Sequence, residues 1–129
     1  MSDEARVWLP YARENLQVAE LTLDAGLLNP CLQNAQQAIE KALKALLILR
    51  STPIKRTHSI RDLNHDLQLA EFETGLTEEE CELLDSIYVS SKYPLDSVLP
   101  HSPPDVSTAR RCLTLARRMV ALAESAIQA

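Results

Sequence analysis

Glycine is nearly missing from this chain: Gly26 and Gly75 are the only two among 129 residues. A glycine-rich loop that wraps a phosphate with backbone N–H groups is therefore excluded. Long apolar runs are missing too. The longest, Ala45 to Leu49, falls far short of the roughly 20 residues a bilayer-spanning helix needs, so no membrane segment is expected. The opening stretch Met1-Ser2-Asp3-Glu4-Ala5-Arg6 is acidic rather than basic-then-apolar, so no secretory leader is expected. Cysteine occurs three times (Cys31, Cys81, Cys112), an odd number without paired metal spacing. That argues for a reducing, cytoplasmic setting, with each thiol a small packing residue. The histidines share no ligand spacing and no Glu-x-x-His motif is present, so neither a metal nor a cofactor is expected. No Ser–His–Asp grouping can be recognised either.

What the chain does have is leucine and alanine. Hydrophobic residues make up 46% of it and aromatics only 4%. Leu and Ala favour helix, and small side chains let helices pack closely. The length suits one domain, residues 1–129, with a real core. The expected class is all-α, an up-down helical bundle of four to five helices. A net charge of −5 makes the molecule as a whole no polyanion binder, and no DNA is expected. The charges are nevertheless segregated. Lys41, Lys44, Arg50, Lys55, Arg56 and Arg61 fall in a stretch without an acid, and Asp66 to Asp85 is acidic. Such a split can build a local anion-attracting surface, or it can be no more than solvated helix faces and a loop.

Along the chain, Trp8, Ala12, Leu16, Ala19 and Leu23 recur at helical spacing and predict a first helix over about 3–25. Pro10 either kinks it or opens it as a first-turn residue. Gly26 is suited to a left-handed C-cap, and Asn29-Pro30 reads as the start of a second helix running to about Arg50. Ser51-Thr52-Pro53 stops it. Thr57 or Ser59 caps a short third helix to about Ala70. Thr77 with Glu80 forms a capping box for a fourth helix, to about Ser91. Lys92 to Pro104, with four prolines, cannot be regular helix; connections of that length are often functional. A fifth helix, about 105–128, carries Arg110, Arg111, Thr114, Arg117 and Arg118 on one arc. Leu113, Leu115, Ala116, Met119, Val120, Leu122, Ala123, Ala126 and Ile127 lie on the other. An apolar arc this wide suits a central helix or a dimer interface, and because it is too wide for a lone bundle of this size a homodimer is expected.

The second helix contains Gln36-Gln37-Ala38-Ile39-Glu40-Lys41-Ala42-Leu43-Lys44. This run resembles the signature of the HEPN family of nucleotide-binding helical bundles, a Gln-Gln pair followed by Glu-Lys and a further Lys. Trp8 with Ala12, Leu16 and Ala19 resembles the family's first helix. Lys55-Arg56-Thr57-His58-Ser59-Ile60 resembles its lead-in to the third, and Tyr88 with Ser91-Lys92-Tyr93-Pro94 resembles its Ser-Arg-Tyr-Pro turn. The match covers nearly the whole chain. It implies a HEPN-like bundle in which Gln37, Lys41, Lys44, His58, Lys92 and Tyr93 contact a nucleotide or RNA phosphate. From the residues alone, Gln37, Lys41 and Lys44 share one side at i, i+4 and i+7, which equally suits an ion-paired, solvated face.

Many HEPN proteins are metal-independent ribonucleases that use an Arg and a His with four to six residues between them. This sequence departs from that pattern. Lys92 stands at the arginine position, the next histidine is His101, and Arg61 and His65 are too close together and on another helix. Lys92 and His101 are thus the weak catalytic candidates of a degenerate endoribonuclease. The resemblance otherwise implies a helical partner of a minimal nucleotidyltransferase, in a toxin–antitoxin or nucleotide-modifying pair. Tyr93 is then a contact or modification acceptor, or simply a packed loop anchor. A non-catalytic dimeric scaffold is the remaining alternative. His58, at a helix start, is either a nucleotide contact or a structural ring bonded to a carbonyl or carboxylate.

Overall fold

The computed structural model describes residues 3–92 and 105–128. Within them the chain forms α1 (Asp3–Asp24), α2 (Leu28–Leu49), α3 (Ile60–Leu69), α4 (Glu78–Lys92) and α5 (Val106–Gln128), with no strand. Lys92 closes α4 with its backbone. Its side chain, Tyr93 and His101 lie outside the described residues, so three of the expected site residues have no described geometry.

α2 is the centre of the bundle, since it packs against every other helix. Thirteen of its residues are buried, from Cys31 and Leu32 through Ile39 and Leu43 to Leu46 and Leu47. The ion pairs Arg13–Glu124 and Arg117–Glu20, each 2.9 Å, set α5 antiparallel to α1. Asn15 bonds Asn34 and Lys44 lies over Trp8, which sets α2 antiparallel to α1 as well. The three long helices meet through alanines. Ala5, Ala12 and Ala19 on α1, Ala35, Ala38, Ala42 and Ala45 on α2, and Ala109, Ala116 and Ala123 on α5 all have no exposed surface. Side chains this small allow close axial approach.

The helix ends account for the differences from the expected boundaries. Pro10 lies well inside α1, so it does not open the helix. α2 begins at Leu28 after Leu27, which makes no side-chain cap; Asn29 is not the N-cap. Pro30 falls instead in the first turn, where a missing N–H costs no helical bond. Ser59, not Thr57, caps α3, accepting from the Asp62 N–H. Thr77 and Glu80 form the expected reciprocal box at 2.9 and 3.1 Å.

α5 buries its wide apolar arc within a single chain. Leu113, Leu115, Ala116, Met119, Val120, Ala123 and Ile127 are buried there, and only Leu122 and Ala126 remain half-buried. A helix packed against both α1 and α2 hides such an arc without a second copy.

Candidate functional site

At about 100° per residue, Gln36, Glu40, Lys44, Gln37 and Lys41 occupy one continuous arc of α2. On a surface helix such an arc faces water. Here α1 and the 50–59 loop cover it, and buried polar groups then need partners. Gln36, Glu40 and Lys44 are 1%, 4% and 8% exposed. Glu40 is the hub. It receives the Lys44 ammonium at 3.1 Å, His58 Nδ1 at 3.1 and 3.3 Å, and Gln36 Nε2 at 3.5 Å. Gln36 Nε2 also reaches the His58 carbonyl at 3.4 Å, and Gln37 donates to Gln36 Oε1 at 2.8 Å. Gln36, Gln37, Glu40 and Lys44 of the signature are thus one hydrogen-bonded unit, while Lys41 bonds elsewhere, to Asn15.

Both lysine amines point toward α1. Lys44 lies 5.8 Å from the Trp8 ring and is engaged by Glu40, so it is an internal counter-ion rather than an open phosphate contact. Lys41 is half-buried, 6.0 Å from the Tyr11 ring centre and 2.6 Å from Asn15 Oδ1. Asn15 passes the chain on to Asn34, which donates to the Pro30 carbonyl. Tyr11 itself is 59% exposed. At the other end of the arc the His58 ring packs on Tyr88 with centroids 4.5 Å apart and planes tilted by 58°. The structure therefore brings Gln37, Lys41, Lys44 and His58 onto one seam. Its exposed portions are the Tyr11–Lys41 and His58 ends.

A neighbouring carboxylate holds the His58 loop in place. Asp85 of α4 accepts from Ser59 Oγ and from the N–H groups of Ile60 and Arg61 at 3.0, 2.6 and 3.3 Å, covering the N-terminus of α3. Burial pushes its carboxyl up from the ordinary value, and those hydrogen bonds pull it part of the way back. Two cations of the basic stretch meet the acidic one. Lys55 meets Asp66, Arg61 meets Glu78, and Arg50 lies over Phe72. Arg56 is exposed with no contact among the described residues. The cysteines are all buried: burial raises the Cys31 thiol and takes Cys81 to about 11 and Cys112 to about 12. Among the described residues no cluster of His, Cys, Asp and Glu could hold a metal.

Sequence reasoning did not place Glu40, Asn15, Tyr11 or Asp85 in the site. The available signal was that α2 is apolar on its remaining sides, which forces its polar arc under neighbours.

An antiparallel set of long helices around a central one with a buried polar seam defines an all-α bundle. The HEPN domain family matches residues 5–126, and the chain belongs to that family. The crystal structure of TT1696 from Thermus thermophilus is similar, with 32% identity, 97% of this chain and 99% of that one covered, and a TM-score of 0.75. ST0689, an archaeal HEPN homologue, shares the fold at 24% identity, with 94% and 95% coverage and a TM-score of 0.62. No curated protein matches the chain.

Proposed function

We propose that the chain is a nucleotide-binding helical partner of a minimal nucleotidyltransferase, acting in a toxin–antitoxin or nucleotide-modifying pair. The observation that carries this reading is the α1–α2 seam. A half-buried chain of bonds through Asn15 and Asn34 holds the Lys41 ammonium beside an exposed aromatic ring, Tyr11. A base can stack on the ring, while the amine meets a phosphate as a charge-assisted partner. The sequence also lacks the Arg and His spacing of the family's ribonucleases, which favours a partner over a nuclease.

The test is coexpression with a minimal nucleotidyltransferase, followed by copurification, intact mass and calorimetric titration with ATP. A stoichiometric complex and saturable ATP binding support the reading. Lys41→Ala should weaken ATP binding about ten-fold or more, as expected when a charged hydrogen bond is removed. Cleavage of RNA by the purified chain, lost on Lys92→Ala, would replace the reading with the nuclease alternative. Neither a complex nor ATP binding would leave a scaffold.

A further inference from the structure

Nε2 of His58 has no task in the network just described. Lys44 sits 3.1 Å from Glu40 Oε2, so this carboxylate is the anionic half of a pair and can only accept. The ring nitrogen facing it, Nδ1, therefore carries the proton, and the neutral ring has its lone pair on Nε2. The His58 side chain is 56% exposed, against 5% for Glu40. The ring is thus anchored at a buried edge and open beyond it, with Tyr88 fixing its plane. A base-oriented ring with its free lone pair toward solvent is the arrangement of an activated nucleophile.

We propose that His58 is a group-transfer acceptor whose Nε2 attacks the electrophilic phosphorus of a phosphoryl or nucleotidyl donor. The Nε2 lone pair forms the N–P bond, and the bond from phosphorus to the leaving oxygen breaks with its electron pair going to that oxygen. When the donor is a nucleoside triphosphate attacked at the α-phosphorus, the leaving group is pyrophosphate. The ring becomes an imidazolium, and that charge develops against the carboxylate of Glu40, already in place. Lys44 acts in the opposite sense, because it shares the same carboxylate. Arg56, on the same loop, is an exposed cation for the donor's phosphates. The proposal rests on the nucleotide-binding reading for the identity of the donor, but not for the reactivity of the nitrogen.

The purified full chain is treated with potassium phosphoramidate, a phosphoryl donor that needs no enzyme, and followed by intact mass and peptide mapping. One acid-labile phosphoryl group on His58 is expected. His65, exposed on α3, is the internal control and should react about ten-fold more slowly or less, the scale on which an orienting partner acts. His58→Gln should remove the fast-forming label. In variants shown to be folded by circular dichroism, Glu40→Gln should remove the advantage over His65 and Lys44→Met should enlarge it. A merely structural network would not move reactivity in opposite directions. Equal labelling of His58 and His65 in the wild-type chain overturns the proposal whatever the variants do. Because no nucleotide or transferase is present, that result would leave the nucleotide-binding reading standing.

Discussion

Three donors converge on the buried carboxylate of Glu40. Removing one member of a buried pair leaves the other charge uncompensated, so Glu40→Ala should cost about 3–5 kcal/mol in urea denaturation. Asp85 is the second such residue. Asp85→Ala removes the acceptor for Ser59 and two α3 amides and should cost about 1–3 kcal/mol. Asp85→Asn should cost less, since it keeps an acceptor and removes the charge that burial penalises. The three thiols, all buried and inert by their raised titration, should resist a thiol reagent in the native chain and react together on unfolding. That packing role was legible from an odd cysteine count without metal spacing. The hub role of Glu40 was not. An i, i+4 Glu–Lys pair reads the same in sequence whether water or another helix covers it.

At the scale of the helix, the ends reveal where the sequence was ambiguous. Three helices finish with the same paired bonds. Leu27 and Gly26, Thr52 and Ser51, and Phe72 and Glu71 each donate back into the last turn. Gly26 announced the first of these. Ser51 and Glu71 adopt the same left-handed conformation with φ of 54° and 62°, and nothing in their residue type predicts it. Exposed Glu71→Gly should therefore stabilise the chain by about 0.5–1 kcal/mol, read as a higher thermal midpoint. Pro10 is the converse case. Its ring and missing N–H are unfavourable inside α1, and Pro10→Ala should stabilise by about 1–3 kcal/mol. The capping box at Thr77 and Glu80 was fully legible because its chemistry is local. The start of α2 was not, because Leu27 offers no cap and packing of the apolar Leu28 side chain against the core extends the helix past Asn29.

Across the whole molecule, order in the sequence becomes pairing in space. The basic stretch and the acidic stretch that follows it lie against each other through Lys55–Asp66 and Arg61–Glu78, which leaves Arg50, Arg56 and the Lys41 end of the seam without an acidic partner among the described residues. The bundle itself was readable from leucine and alanine periodicity; which helix sat at its centre was not. Alanine on all three long helices permits the tight packing, and Ala116→Leu, at a position with no free surface, should cost at least about 1–3 kcal/mol through overpacking. α5 no longer argues for a homodimer. Besides Tyr11, the large apolar side chains left exposed on α1 among the described residues are Val7 and Leu21, and a homodimer seated at Leu21 is the form that proposal now takes. Sedimentation at micromolar concentration should then give a dimer for the wild-type chain and a monomer for Leu21→Glu.

The acceptor proposal depends on Glu40 of α2 holding the imidazole at residue 58 by one particular nitrogen. A long-range proton–nitrogen correlation spectrum of the histidine rings reads this directly. The expected result is a protonated Nδ1 and a bare Nε2 on His58, in a pattern distinct from that of exposed His65. A spectrum in which His58 carries its proton on Nε2, or is indistinguishable from His65, would contradict it.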